Sequence, residues 1–189
     1  MVTKIQKELQ ESIRVKESLL SGSVKTIENI ANLLVNALRN GNTVYLMGNG
    51  GSAADAQHIA AEFVGRFKKE RRALPAHSLT TNTSILTAIA NDYSYDVCFS
   101  RQVEAFVKKG DIVFGLSTSG NSANVLKAIL LAKEKGAVTV GFTGENGGEL
   151  KNVVDVCLTV PSSSTPRIQE CHITVGHILC SVVERELFT

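Results

Sequence analysis

The sequence predicts an α/β fold: a three-layer sandwich in which helices flank a five-stranded parallel sheet, with an N-terminal helical extension. Three observations predict it. From about residue 43 onward, short continuously apolar segments alternate with helical stretches, the pattern of a sheet buried on both faces. Two Gly/Ser-rich loops each follow an apolar segment and open a helix, at the sheet edge where such folds bind ligands. The 189 residues, 43% of them hydrophobic, fit one domain with a full core, spanning 1–189.

The first forty residues read as two amphipathic helices, from about Thr3 to Leu20 and from about Val24 to Arg39. Ser21-Gly22-Ser23 separates them and Asn40-Gly41-Asn42 stops the second. Thr43 to Met47 is the first strand, followed by Gly48-Asn49-Gly50-Gly51-Ser52 and a helix to about Arg66. Ala76 to Thr80 is the second strand, and a helical pair spans about Ser84 to Lys108. Asp111 to Leu116 is the third strand, with a helix from near Ala123 to Lys135 ended by Gly136. Val138 to Phe142 is the fourth strand, a short helix starts at Gly147-Gly148, and Val156 to Val160 is the fifth. Pro161 to Pro166 is a Ser-rich loop before a long helix from about Arg167 to Leu187.

Composition excludes several classes. The formal charge is +2, and no Lys/Arg block is long enough for a nucleic-acid surface. The densest basic run, Lys68-Lys69-Glu70-Arg71-Arg72, reads as a solvated loop. No apolar run reaches membrane-spanning length, and the mixed-charge start is not a signal peptide. Four cysteines without CxxC spacing suit a reduced, cytoplasmic compartment.

Ser117-Thr118-Ser119-Gly120-Asn121-Ser122, at the join of the third strand and a helix, makes an anion cradle. The free N–H groups and positive dipole end of the helix favour a phosphate, and the hydroxyls add donors at any pH. A P-loop would add a Lys, which is missing here, so the loop suits a sugar phosphate better than a nucleoside triphosphate. Gly48, Gly50 and Ala53 fit G-x-G-x-x-A, yet the exit of the second strand has no acidic residue for a ribose hydroxyl. These glycines instead let the backbone approach a small ligand.

The next helix carries His58 and Glu62, four apart on one face. They are candidates to ligate one divalent metal, with Glu62 equally a candidate general base; a surface pair is the plainer alternative. The last helix carries Arg167, Gln169, Glu170, His172 and His177. Gln169 and His177 are offset by about 80° and about 12 Å along a helix, so they share a metal only if it sits between them, or else serve neighbouring subunits. A satisfied core histidine is the alternative for His177. Asn91-Asp92 either ends a helix or binds sugar hydroxyls, and Arg66 either pairs with the phosphate or ends its helix.

Taken together, Gly48 to Ser52, His58 with Glu62, Asn91-Asp92, Ser117 to Ser122, and Arg167-Ile168-Gln169-Glu170 with His177 closely resemble the SIS (sugar isomerase) domain, within it the phosphoheptose isomerases. The likeness covers nearly the whole chain. It implies a flavodoxin-like sandwich, a homotetramer whose active sites lie at subunit interfaces with the N-terminal helices (1–40) serving oligomerisation, and one zinc per subunit. It implies isomerisation of sedoheptulose 7-phosphate to glycero-manno-heptose 7-phosphate for envelope glycans. By resemblance Glu62 and His177 are the acid/base pair, and His58, Glu62, Gln169 and His177 hold the zinc. Ser117, Thr118, Ser119 and Ser122 hold the phosphate, with Ser52 a further donor. Asn49, Gly50, Gly51, Asn91 and Asp92 line the sugar site, with Gln169 and Glu62 also facing substrate. A related branch is non-enzymatic and binds the bacterial replication initiator; it lacks the acid/base pair that this chain keeps in Glu62 and His177.

Overall fold

In the computed structural model, residues Met1–Phe188 are described. Five strands form one parallel sheet in the order β2-β1-β3-β4-β5: β1 (Val44–Gly48), β2 (Ala76–Ser78), β3 (Ile112–Leu116), β4 (Val138–Thr143) and β5 (Val156–Thr159). Every residue of β1 and β3 is buried, as expected of strands covered on both faces. The order reverses at β1, whose neighbours are β2 and β3, so the crevice between the C-terminal ends of β1 and β3 is the ligand position for this topology.

The two faces carry separate cores. On one, α1 (Val2–Gly22), α2 (Val24–Arg39), α3 (Gly51–Val64) and α8 (Thr165–Leu187) enclose Leu34, Leu46, Phe63, Phe142 and Val175. On the other, α5 (Ser100–Phe106), α6 (Ala123–Glu134) and α7 (Leu150–Val153) enclose Met47, Phe99, Val103 and Ile129. α4 (Thr83–Asp92) buries none of its residues.

Several boundaries shift for local reasons. Ser21 and Gly22 stay helical, so only Ser23 separates α1 from α2. Strand β2 ends at Ser78, where the Ser78 and Thr80 hydroxyls bond at 2.7 Å and turn the chain. The last helix starts at Thr165 because Pro166 is accommodated in a first turn, where its missing N–H costs nothing.

Lys68, Lys69, Glu70 and Arg72 are exposed in a segment without helix or strand, as expected of a solvated loop, and Arg71 departs from that expectation. The Arg71 side chain is 1% exposed and pairs with Glu184, 2% exposed, at 3.0 Å. Its other nitrogens donate to the carbonyls of Phe63, Gly65 and Glu62, capping the C-terminus of α3. A charge run cannot reveal this, because the buried acid that claims one member lies on the last helix.

His172 is fully buried on α8. Burial pushes its pKa down to about 4, opposed by the hydrogen bond of Nε2 to the Thr143 carbonyl. Its folded value lies below the ordinary value of 6.5, so its stabilisation is complete above pH 6.5 and lost as pH falls toward 4. This group alone is expected to make the protein about 2 kcal/mol less stable at pH 5 than at pH 7. Urea unfolding at the two pH values checks this, and the difference should shrink in His172→Gln; an unchanged difference would assign it to other groups.

Candidate functional site at the α3–α8 seam

Helices α3 and α8 lie side by side and run in the same direction. Gln169 packs on Gly51 near their starts, Gly176 on Ile59 midway, and Glu184 binds the backbone just beyond the end of α3. Gly176 permits the approach: a Cβ there would meet Ile59 Cδ1 at 2.6 Å, closer than side chains pack. A larger residue would wedge the helices apart at the turn that carries His177.

That closeness assembles three donors from distant parts of the chain. His58 Nε2 lies 3.1 Å from Glu62 Oε1, and His177 Nε2 lies 3.2 Å from His58 Nε2. One nitrogen or oxygen from each of His58, Glu62 and His177 falls within 4.8 Å of the other two. Two imidazole nitrogens and a carboxylate oxygen converging on one point are a donor set suited to a divalent ion such as zinc. Gln169 sits apart from this knot, its amide against Gly51, about two turns up α3 from His58. The His58 side chain is 49% exposed and that of Glu62 25%, so one flank of the cluster opens outward.

Asp55 went unnoticed in the sequence. It precedes His58 by three residues and Glu62 by seven, so all three share a face of α3. Its Oδ2 is buried with no hydrogen-bond partner among the described residues. Burial raises its pKa to about 6, with His58 pulling the other way. The i, i+3, i+7 spacing was a signal that could have found it.

The second part of the site is the β3–α6 loop. Gly120 has φ +70, and a Cβ there would overlap the Gly147 carbonyl, so the β3–α6 and β4–α7 loops meet backbone to backbone at this point, and the Glu149 N–H donates to Asn121 Oδ1 at 3.0 Å beside it. Ser122 begins α6 without spending its hydroxyl on the helix's own N–H groups; it bonds Ser117 instead, at 2.9 Å. The helix start thus keeps its anion-binding capacity. Ser119 is exposed and Thr118 half-buried. A cleft of about 320 Å³ is lined by Thr118, Ser119 and Asn121 together with Ser162, Ser163 and Thr165. Those last three come from the chain around the start of α8 and add hydroxyls that sequence reading left in a loop.

The β1–α3 loop is tied across the crevice. Asn49 and Asn124 exchange amide hydrogen bonds of 2.9 Å each, and the Tyr95 hydroxyl donates to Asn49 Oδ1 at 3.1 Å. Asn124, buried at the start of α6, thereby joins the two Gly/Ser loops; no motif marked it. Gly50 and Gly51 form the turn into α3, and Ser52 is buried in its first turn. Asn91 and Asp92 bond each other at 2.9 Å at the exposed end of α4, without hydrogen bonds to the other candidates among the described residues. Arg66 is exposed and pairs loosely with Glu70 at 3.6 Å.

Comparison with known proteins places the chain in a family. The family described as the SIS domain matches residues 9–144. The chain is 55% identical over 188 residues to a phosphoheptose isomerase of Geobacter sulfurreducens, covering all of both chains. It is 53% identical to one of Aquifex aeolicus, covering 97% of this chain and 96% of that one. Among solved structures it is similar to the phosphoheptose isomerase from Neisseria gonorrhoeae, with TM-score 0.92, 42% identity, and 97% and 98% of the two chains covered. It is likewise similar to one from Francisella tularensis, with TM-score 0.94, 34% identity and the same coverage.

Proposed function

The chain belongs to the SIS-domain family and, within it, to the phosphoheptose isomerases, and from that membership we propose that it converts sedoheptulose 7-phosphate to D-glycero-D-manno-heptose 7-phosphate. The observation that carries the reading for this chain is the convergence of His58, Glu62 and His177, beside a hydroxyl-rich helix start suited to phosphate. The product would serve heptose synthesis for envelope glycans. The alternative of a non-enzymatic protein binding the replication initiator finds no support: the relatives matching over the full length are named as isomerases.

Ketose–aldose exchange moves a proton between neighbouring carbons through an enediol. Glu62 is assigned to take the carbon-bound proton, and His177 to shuttle the proton between the two oxygens. Ser117, Thr118, Ser119 and Ser122, with Ser52, hold the phosphate, so the far end of the sugar is anchored while its reacting carbons lie against α3. Asn49, Gly50, Gly51, Asn91, Asp92 and Gln169 face the sugar. His58, Glu62 and His177 would hold zinc, with Gln169 joining them once its side chain turns from Gly51 toward the ion; zinc when bound supplies Lewis-acid stabilisation of the negative oxygen of the enediolate.

The open flank of His58 and Glu62, the exposed Ile5, Leu9 and Ile13 on α1, and the unburied α4 support a homotetramer that closes its sites at subunit interfaces. A tetramer partner is also what would bring Asn91 and Asp92 to a sugar. None of the described helices is long and apolar enough to cross a membrane, and the four cysteines are free thiols, which supports a cytoplasmic setting.

The test is an isomerase assay with sedoheptulose 7-phosphate on protein stripped by a chelator and then resupplied with zinc. Aldose product that falls on stripping and returns with zinc is expected. No product from a folded, zinc-supplied protein would overturn the substrate assignment, and full activity after stripping would overturn the metal.

A further inference from the structure

We propose that Phe67 is a positioning residue for His177, held in that role by the buried Glu184–Arg71 pair; this rests on the assignment of His177 to the acid/base pair. Among the described residues His177 is hydrogen-bonded at one edge only, Nε2 to His58. A single bond at one nitrogen leaves an imidazole free to swing about it. The flat side of the ring lies against Phe67, with centroids 5.7 Å apart and planes inclined by 26°. That stack removes the remaining freedom and aims the ring at His58 and Glu62.

Phe67 lies outside any helix or strand, in the connection that follows α3. An aromatic in such a segment would ordinarily be a loose support. Here its backbone N–H donates to Glu184 Oε2 at 3.0 Å, and the next two N–H groups, of Lys68 and Lys69, donate to Oε1 at 2.8 and 2.7 Å. The same carboxylate takes Arg71 Nε at 3.0 Å, and Arg71 donates onward to the backbone carbonyl of Glu62 at 2.9 Å. One buried acid thus fixes both the ring over His177 and the helix end under Glu62. The two members of the acid/base pair are set relative to each other through it. Lys68 closes the far side, its ammonium 5.4 Å from the Phe67 ring centre and bonded to the Ser181 hydroxyl on α8.

If Phe67 only filled space, leucine would replace it, since the ring is only partly buried. Phe67→Leu keeps an apolar side chain but loses the flat face; Phe67→Tyr keeps the face. Phe67→Leu is expected to lower kcat about tenfold with KM within about twofold, and to lose zinc to a competing chelator about tenfold more readily, as for groups that orient a metal's ligands. Its melting temperature should stay near that of wild type, and Phe67→Tyr should restore both kcat and zinc retention. His177→Gln, run in parallel, separates the two readings. Wild-type kcat and zinc retention in Phe67→Leu, with His177→Gln inactive, overturns the positioning role and leaves the His177 assignment standing. Turnover in His177→Gln overturns that assignment and the positioning role with it. Failure of Phe67→Tyr to rescue, with a melting temperature lowered in both variants, shows a merely structural role and also overturns the proposal.

Discussion

Glu62→Gln is expected to lower kcat by about a thousandfold while leaving the fold intact, within the range of about 10²–10⁴ that a positioned general base contributes. The amide matches the carboxylate in shape but cannot accept a proton from carbon. The fold should survive because what α3 takes from this residue is its backbone: the Glu62 carbonyl still receives Arg71. The side chain is partly exposed and its hydrogen bond is to His58, a surface contact of small energy. Glu62 also belongs to the proposed metal set, so the measurement must be made at saturating zinc, with the metal content of the variant determined alongside. A loss of turnover in a zinc-loaded variant assigns the effect to proton transfer. Turnover within tenfold of wild type would remove Glu62 from the role of base.

Glu184→Gln should have the largest effect on stability, about 3–5 kcal/mol, because it strips a buried arginine of its counter-charge. The carboxylate sits among three backbone N–H groups and the Arg71 guanidinium, with both side chains almost fully enclosed. Glutamine offers one acceptor oxygen in place of two and turns an N–H₂ group toward donors. Burial by itself would raise the Glu184 pKa, but these hydrogen bonds outweigh it and hold the carboxyl below the ordinary value of 4.5. A carboxylate with a depressed folded pKa stabilises fully above its unfolded value and loses that contribution as pH falls below about 4.5. Urea unfolding at pH 7 should therefore show the full loss for Glu184→Gln, and the gap from wild type should narrow in acid. A loss below about 1 kcal/mol at pH 7 would place the pair among weak surface bridges instead.

Much of this was legible in the sequence. Continuous apolar strands such as Asp111 to Leu116 carry their own signal, because a strand buried on both faces has no polar side to alternate with. The Ser117 to Ser122 loop was legible because a run of hydroxyls between a strand and a helix has a local chemical meaning. His58 and Glu62 were paired correctly because four residues is one helical turn. Composition misled at Arg71, whose guanidinium is drawn out of an otherwise exposed basic run into an enclosed ion pair. Asn124 was missed because nothing near it in the chain states that Asn49 will lie opposite.

Local patterning of the chain was enough for the order of helices and strands, for the two Gly/Ser loops at one sheet edge, and for naming candidates for acid, base and donor. Those depend on periodicities and spacings within a few residues. No local pattern foretells that His177 meets His58 across 119 residues, that Gln169 rests on Gly51, or that Glu184 closes over the chain after α3; these come from the folded packing. Each follows from how α8 lies on α3, set by two helices packing on one face of a twisted sheet and by the missing side chain of Gly176. Such contacts have no period along the chain: they arise when buried surfaces from distant segments must fill the same space.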